Sequence, residues 1–301
     1  ATAAYLQYRW KMGAVTVYPG VRYEHVTLTR LDYGKEDPER KGTDLLSRSN
    51  TVDALLPGIS VELMMSPTSR LIGGMHKGFA PPGSNEGARP EASVNYEIGW
   101  RQRKGVVATE VIGFFHHYMN LLGTDLGAAG GSGSTDTYNG GKARAGGVEF
   151  LLSSAFLSRH GDWYVPVSVS YTYTAGAFGN SFESGFEGWG TVEEGDALPY
   201  LAPHRLTLET GLVHPRVSVY LTASYSAAMR TQAGKGALNE AYATDEHIVI
   251  DLAVQAPISD QITFFSTVRN LANSVYVVAR RPAGARPGLP RSVEIGMEGR
   301  F

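Results

Sequence analysis

The chain has 301 residues, a formal net charge of −2 and a pI near 6.5, so it lacks the basic surplus of a nucleic-acid binder. It has no cysteine, which removes disulfide frameworks and cysteine metal sites. Gly 36, and Tyr 16 against Phe 11, suit sheets with wet ends, because a Tyr ring packs while its hydroxyl reaches water.

No run of about 18 apolar residues exists, so no transmembrane helix is expected; barrel strands carry a much weaker hydropathy signal and stay open. The start, ATAAYLQYRW, lacks an initiator Met, a charged n-region and an apolar h-region, and reads directly as a strand. The expectation is a piece of a longer chain.

Ala3 to Lys11 is a strand, turned at Met12-Gly13-Ala14 into a long return over Val15 to Leu31. A charged loop follows, then Val52 to Met65, a sharp turn at Ser66-Pro67-Thr68-Ser69, and Arg70 to Phe79. Pro81-Pro82-Gly83 opens another polar loop. Ser93 to Arg103 and Val106 to Tyr118 pair across Lys104-Gly105. Asn120 to Lys142 is a long loop rich in Gly, Ser and Asp. Arg144 to Ser154 pairs with Trp163 to Thr174, and Gly176 to Pro203 is the longest loop. Arg205 to Val213 and Arg216 to Ala227 meet across His214-Pro215, and Ala228 to Thr244 is loop. His247 to Ala256 and Gln261 to Val268 pair, and a last long loop leads to the closing strand from Ser292.

The strands number about thirteen by this reading, and short turns alternate with loops of about ten residues or more. The rows within strands alternate too. Val165, Val167, Val169, Tyr171 and Tyr173 oppose Pro166, Ser168, Ser170 and Thr172. Ile248, Ile250, Leu252 and Val254 oppose His247, Asp251 and Gln255. In the closing strand Val293, Ile295, Met297, Gly299 and Phe301 form one row, against Ser292, Glu294, Gly296, Glu298 and Arg300. Val106 to Tyr118 is less clean, because Phe114 and Phe115 are adjacent. Apolar rows ending in aromatics fit a lipid-facing band with an aromatic girdle, and tight turns on one side with long loops on the other fit a membrane barrel.

NLANSVY at Asn270 to Tyr276, ARRPAGARPGLPR at Ala279 to Arg291 and a last strand ending in Phe resemble the C-terminus of TonB-dependent outer-membrane receptors. The resemblance is greatest to the ferric-citrate (iron dicitrate) group. GGMHKGFAPP at Gly73 to Pro82, SVNYEIGWR at Ser93 to Arg101 and FFHHYMNLLG at Phe114 to Gly123 follow that group's order. The resemblance implies an all-β transmembrane antiparallel barrel, residues 1–301 being about thirteen C-terminal strands of roughly 22, with the plug and the first strands absent. It implies a receptor that imports ferric chelates into the periplasm, driven by TonB through the missing N-terminal region, with no catalysis. No cofactor is expected, the iron arriving within the chelate ligand.

A ferric chelate of carboxylates is anionic, and Arg forks match carboxylates. The candidate ligand residues are therefore His76, Lys77, Arg89, Arg144, Arg230, Gln232, Arg280, Arg281 and Arg286, all near the expected extracellular ends. Their plainer reading is surface charge facing outer-membrane lipid and lipopolysaccharide phosphates. His116-His117 fall on opposite sides of a strand and cannot share an ion without a bulge. Gly130 to Ser134 is followed by no Lys and helix, so it reads as a flexible loop rather than a phosphate cradle. Glu193, Glu194 and Asp196 read as solvated loop charge. A passive porin, a barrel enzyme, a receptor for cobalamin or carbohydrate and a soluble β-sandwich stay open as alternatives.

Overall fold

The structure, a computed structural model, describes residues 1–34, 36–84, 89–124, 137–157, 162–184, 189–280 and 284–300. Fourteen hydrogen-bonded segments make one antiparallel sheet. The first two, Thr2–Gln7 and Trp10–Met12, keep one register on the next strand, so they count as one strand and the total is thirteen. The gap between them lies opposite Pro19, which has no N–H to donate.

In chain order these are β1 (the two segments), β2 (Val15–Asp32), β3 (Leu46–Ser66), β4 (Ser69–Ala80), β5 (Glu91–Lys104), β6 (Val107–Asn120) and β7 (Ala143–Leu157). They continue as β8 (Tyr164–Phe178), β9 (His204–His214), β10 (Val217–Ser226), β11 (His247–Pro257), β12 (Ile262–Arg269) and β13 (Ser292–Gly299). Each strand pairs with its sequence neighbours, so the sheet is a meander. Short turns and long connections alternate along it, as the sequence pattern predicts.

Two strands are longer than their apolar rows. β3 begins at Leu46 rather than Val52, and β8 runs to Phe178 rather than Thr174. Backbone pairing there needs no apolar row. The hydroxyl of Thr51, on the extension of β3, lies 3.3 Å from that of Thr27 on β2, and Gly146 and Ala145 of β7 stand opposite Ala175 and Gly176 of β8.

Directly opposed residues of an antiparallel pair share a face. Val169 and Tyr171 on β8 therefore stand with Leu152 and Phe150 on β7, and with Leu208 and Leu206 on β9. The row continues through Ala223, Ile250, Leu252 and Val268 to Val293. The other way it runs through Val111, Trp100, Leu71, Leu63 and Val15. The reverse face carries Ser170, Thr207, Ser224, Asp251, Glu110, Arg101 and Arg70. Arg70 pairs with Glu62 at 3.3 Å, and Arg101 with Glu110 at 2.5 Å.

No second layer covers the apolar face among the described residues. Ile98 is 71% exposed, Ile295 68% and Met297 70%. The fully buried apolar side chains lie instead at the loop end. Phe178, Trp189 and Val192 form a small cluster with Leu121, Tyr138 and Phe182. The ring of Trp189 lies over Gly123 and Gly140, where a Cβ would come within 2.8 and 2.5 Å of it. Only glycine lets these two loops close on the indole.

Phe114 and Phe115 separate by face. Phe114 lies with His116 on the polar side, ring centroids 5.3 Å apart, and Phe115 with Tyr96 on the apolar side, 6.4 Å apart. Arg281, Phe301 and the Gly130 to Ser134 loop lie outside the described residues.

Candidate functional site

At the loop end of the polar face one hydrogen-bonded row crosses β4, β5 and β6 through His76, Asn95 and His116. Alternation puts all three on the same side. Asn95 is only 8% exposed, and its Oδ1 lies 2.6 Å from His116 Nδ1. His116 stands between Phe114 and Tyr118 along its strand, 5.3 and 6.3 Å from their rings. Ser93, opposite Tyr118, is 5% exposed. The result is a patch of imidazole and aromatic surface, with His76 exposed and Phe114, His116 and Tyr118 half-buried, backed by the buried Asn95 and Ser93. Asn95 and Ser93 were not among the sequence candidates, although their row in SVNYEIGWR already alternates correctly.

His76 belongs to this patch. Lys77 does not, because the next position faces the apolar side, where it stands opposite Val94. Arg144 is on that side too, opposite His117. His116 and His117 accordingly face opposite ways, with no bulge between them.

Arg89 is presented by its backbone. Its N–H donates to Asn139 Oδ1 at 3.1 Å, and its carbonyl accepts from Asn120 Nδ2 at 3.2 Å. The side chain is exposed. Arg230 and Arg280 meet at Ala243. Arg230 bridges Ala243 through the backbone and donates from its guanidinium to the Gly236 carbonyl at 2.8 Å, while Arg280 Nε donates to the Ala243 carbonyl. Both therefore stitch loops. Gln232 is half-buried in the same loop, and Arg286 pairs with Ala279 in a two-stranded ladder. The β10–β11 loop also ties to the β8–β9 loop, through Lys235 Nζ to Glu193 at 3.0 Å and Asp196 at 3.8 Å. Glu193 and Asp196 are thus ion-paired tethers.

In the β2–β3 loop Asp37 is 4% exposed. Burial pushes its carboxyl up, but N–H groups of Lys41, Gly42 and Thr43 outweigh that and hold it below the usual carboxylate value.

No described group of three or more His, Cys, Asp or Glu is arranged to hold a metal ion. No described helix is long and apolar enough to cross a membrane, which says nothing of strands.

A wide antiparallel meander with one apolar and one polar face, tight turns at one end and interlocked loops at the other, is barrel wall. The family model described as TonB dependent receptor-like, beta-barrel matches residues 1–271, and the chain belongs to that family. No curated protein sequence matches it.

Among solved structures, the ferric-catecholate import receptor Fiu of E. coli K12, in its closed form, is 17% identical with a TM-score of 0.72; the match covers 99% of this chain and 44% of that one. The ferric yersiniabactin uptake receptor FyuA of Yersinia pestis is 19% identical at a TM-score of 0.72, covering 99% and 45%. The ferric citrate transporter FecA, unliganded, is 17% identical at 0.69, covering 99% and 44%. These likenesses establish the fold. The chain spans less than half the length of these receptors.

Proposed function

We propose that this chain is the C-terminal part of the barrel wall of an outer-membrane receptor that imports ferric chelates, iron dicitrate or a related siderophore. The observation that carries the reading is the two-faced sheet: an apolar row that runs from Val15 on β2 to Val293 on β13, with a polar row behind it. The apolar row meets lipid and the polar row faces the lumen. The family match and the ferric-chelate receptors among the similar structures support the cargo.

An anionic chelate is captured by hydrogen-bond donors in a low-dielectric rim, where charged partners count for more than in open water. Of the sequence candidates, His76 stands in the row with Asn95 and His116, and Arg89 presents an exposed side chain from the β4–β5 loop. Arg230 and Arg280 act one step back, by fixing the loops. TonB acts through segments of the parent protein outside this chain, and no bond in the cargo is made or broken.

The test uses the full-length receptor in detergent. Ferric dicitrate is titrated while tryptophan fluorescence is followed. Saturable quenching that Arg89→Ala weakens supports the iron-dicitrate receptor. A response only to another chelate, to cobalamin or to a carbohydrate changes the cargo. Passive solute flux without saturable binding overturns the reading in favour of a porin.

A further inference from the structure

The apolar face changes character at its loop end. Lys77 stands opposite Val94, Val94 opposite His117, and His117 opposite Arg144, so three cationic or cation-forming side chains share one row across β4 to β7. With strands about 4.8 Å apart, that row runs about 14 Å. Lys142 follows two residues beyond Arg144. His117, Arg144 and Lys142 are exposed and Lys77 is half-buried. Among the described residues, none of these four side chains has an ion pair or a side-chain hydrogen bond. The same face of β4 to β8 carries no described Asp or Glu.

Position along the strand gives the row its meaning. Two residues toward the short turns lies the Tyr96–Phe115 pair, followed by Ile98 and Val148. Two residues of strand are about 7 Å. Aromatic rings settle at the boundary between hydrocarbon and headgroups, so cations about 7 Å further out reach headgroup phosphates.

We infer that Lys77, His117 and Arg144 form a binding site for the phosphate of an outer-leaflet lipid. This rests on the reading that the apolar face meets the bilayer. It also separates Lys77 and Arg144 from His76: they lie across the sheet from it and do not share its ligand. The row matches a phosphate in chemistry, with an Arg fork, a Lys point charge and an imidazole donor and no acid to repel it.

The experiment is native mass spectrometry of the full-length receptor in neutral detergent, titrated with diphosphorylated lipid A and with the same lipid after phosphate removal. The wild type is expected to prefer the phosphorylated lipid. Lys77→Gln with His117→Gln and Arg144→Gln is expected to weaken it about 25-fold, at about fivefold for each permanent cation. Arg103→Gln, on the polar face, is expected to leave it unchanged. Should the triple variant not fold, Arg144→Gln alone is expected to give about a fivefold loss. Equal binding by wild type and variant, or equal binding of the dephosphorylated lipid, overturns the site. A receptor that stays dispersed without detergent overturns the membrane reading instead, which is a separate result.

Discussion

The backbone N–H of Asn270 donates to Asp251 Oδ1 at 2.8 Å, tying the end of β12 to the polar face of β11. Asn270 is 2% exposed and adopts φ +49°, a left-handed conformation that Asn tolerates better than most residues. Its amide donates to the Ser274 and Leu289 carbonyls at 2.9 and 3.0 Å and accepts from the Ser274 N–H at 2.8 Å. One side chain thus closes the last long loop and delivers the chain to β13. Asn270→Ala loses three hydrogen bonds and keeps the strained backbone, at a cost of about 2–4 kcal/mol. Asn270→Gly removes the strain but not the loss. Melting of the full-length receptor in detergent is expected to rank wild type above Gly, and Gly above Ala.

Trp189 clamps the loops. Its ring lies 5.4 Å from that of Phe178 and 6.0 Å from that of Phe182, both edge-on. Trp189→Ala is expected to release the β6–β7 and β8–β9 loops while the barrel's melting temperature barely moves. A buried Trp deletion is worth about 3–5 kcal/mol, and here the loss falls on loop packing. Hydrogen exchange at Leu122–Thr124 and Thr191–Val192 reads the effect directly.

The Asp37 carboxylate fastens its loop with a pH dependence of known sign. Its native pKa lies below the unfolded value of about 3.9. Its stabilisation is therefore fully present above about pH 3.9 and is lost as pH falls through the lower native value. Between pH 8 and 5 trypsin cleavage after Arg40 and Lys41 is expected to be faster in Asp37→Asn than in wild type by a constant ratio. A ratio that collapses toward one near pH 6 contradicts this.

Arg89→Ala is expected to weaken ferric dicitrate about tenfold without changing the melting temperature, as loss of a charged hydrogen bond to ligand does. Arg280→Ala is expected to expose the β12–β13 loop to protease, because it leaves the Ala243 carbonyl without that donor. Isothermal titration and limited proteolysis separate the two roles.

The strands were legible because their apolar rows alternate: Val165 to Tyr173 and Val293 to Met297 each name a face without help. The strand ends were not. Leu46 to Thr51 and Ala175 to Phe178 pair through backbone groups that leave no apolar period. The loop arginines were visible as charges, but the partners of Arg230 and Arg280 are main-chain carbonyls, which any sequence supplies. Asn95 was hidden for the opposite reason, since a lone polar residue on a lumen row looks like any other. Phe114 and Phe115 became readable only when the register showed His116 beside one and Tyr96 beside the other.

The central claim is that one face of this sheet meets lipid and the other does not. Because this chain has no cysteine, single-cysteine spin labels placed along β5 of a cysteine-free full-length receptor in lipid bilayers read that claim residue by residue. Labels at Tyr96, Ile98 and Trp100 are expected to be accessible to oxygen dissolved in lipid, and labels at Asn95, Glu97 and Gly99 to be shielded from it. Accessibility that alternates with period two supports the account. Equal accessibility at Glu97 and Ile98, in either solvent, contradicts it.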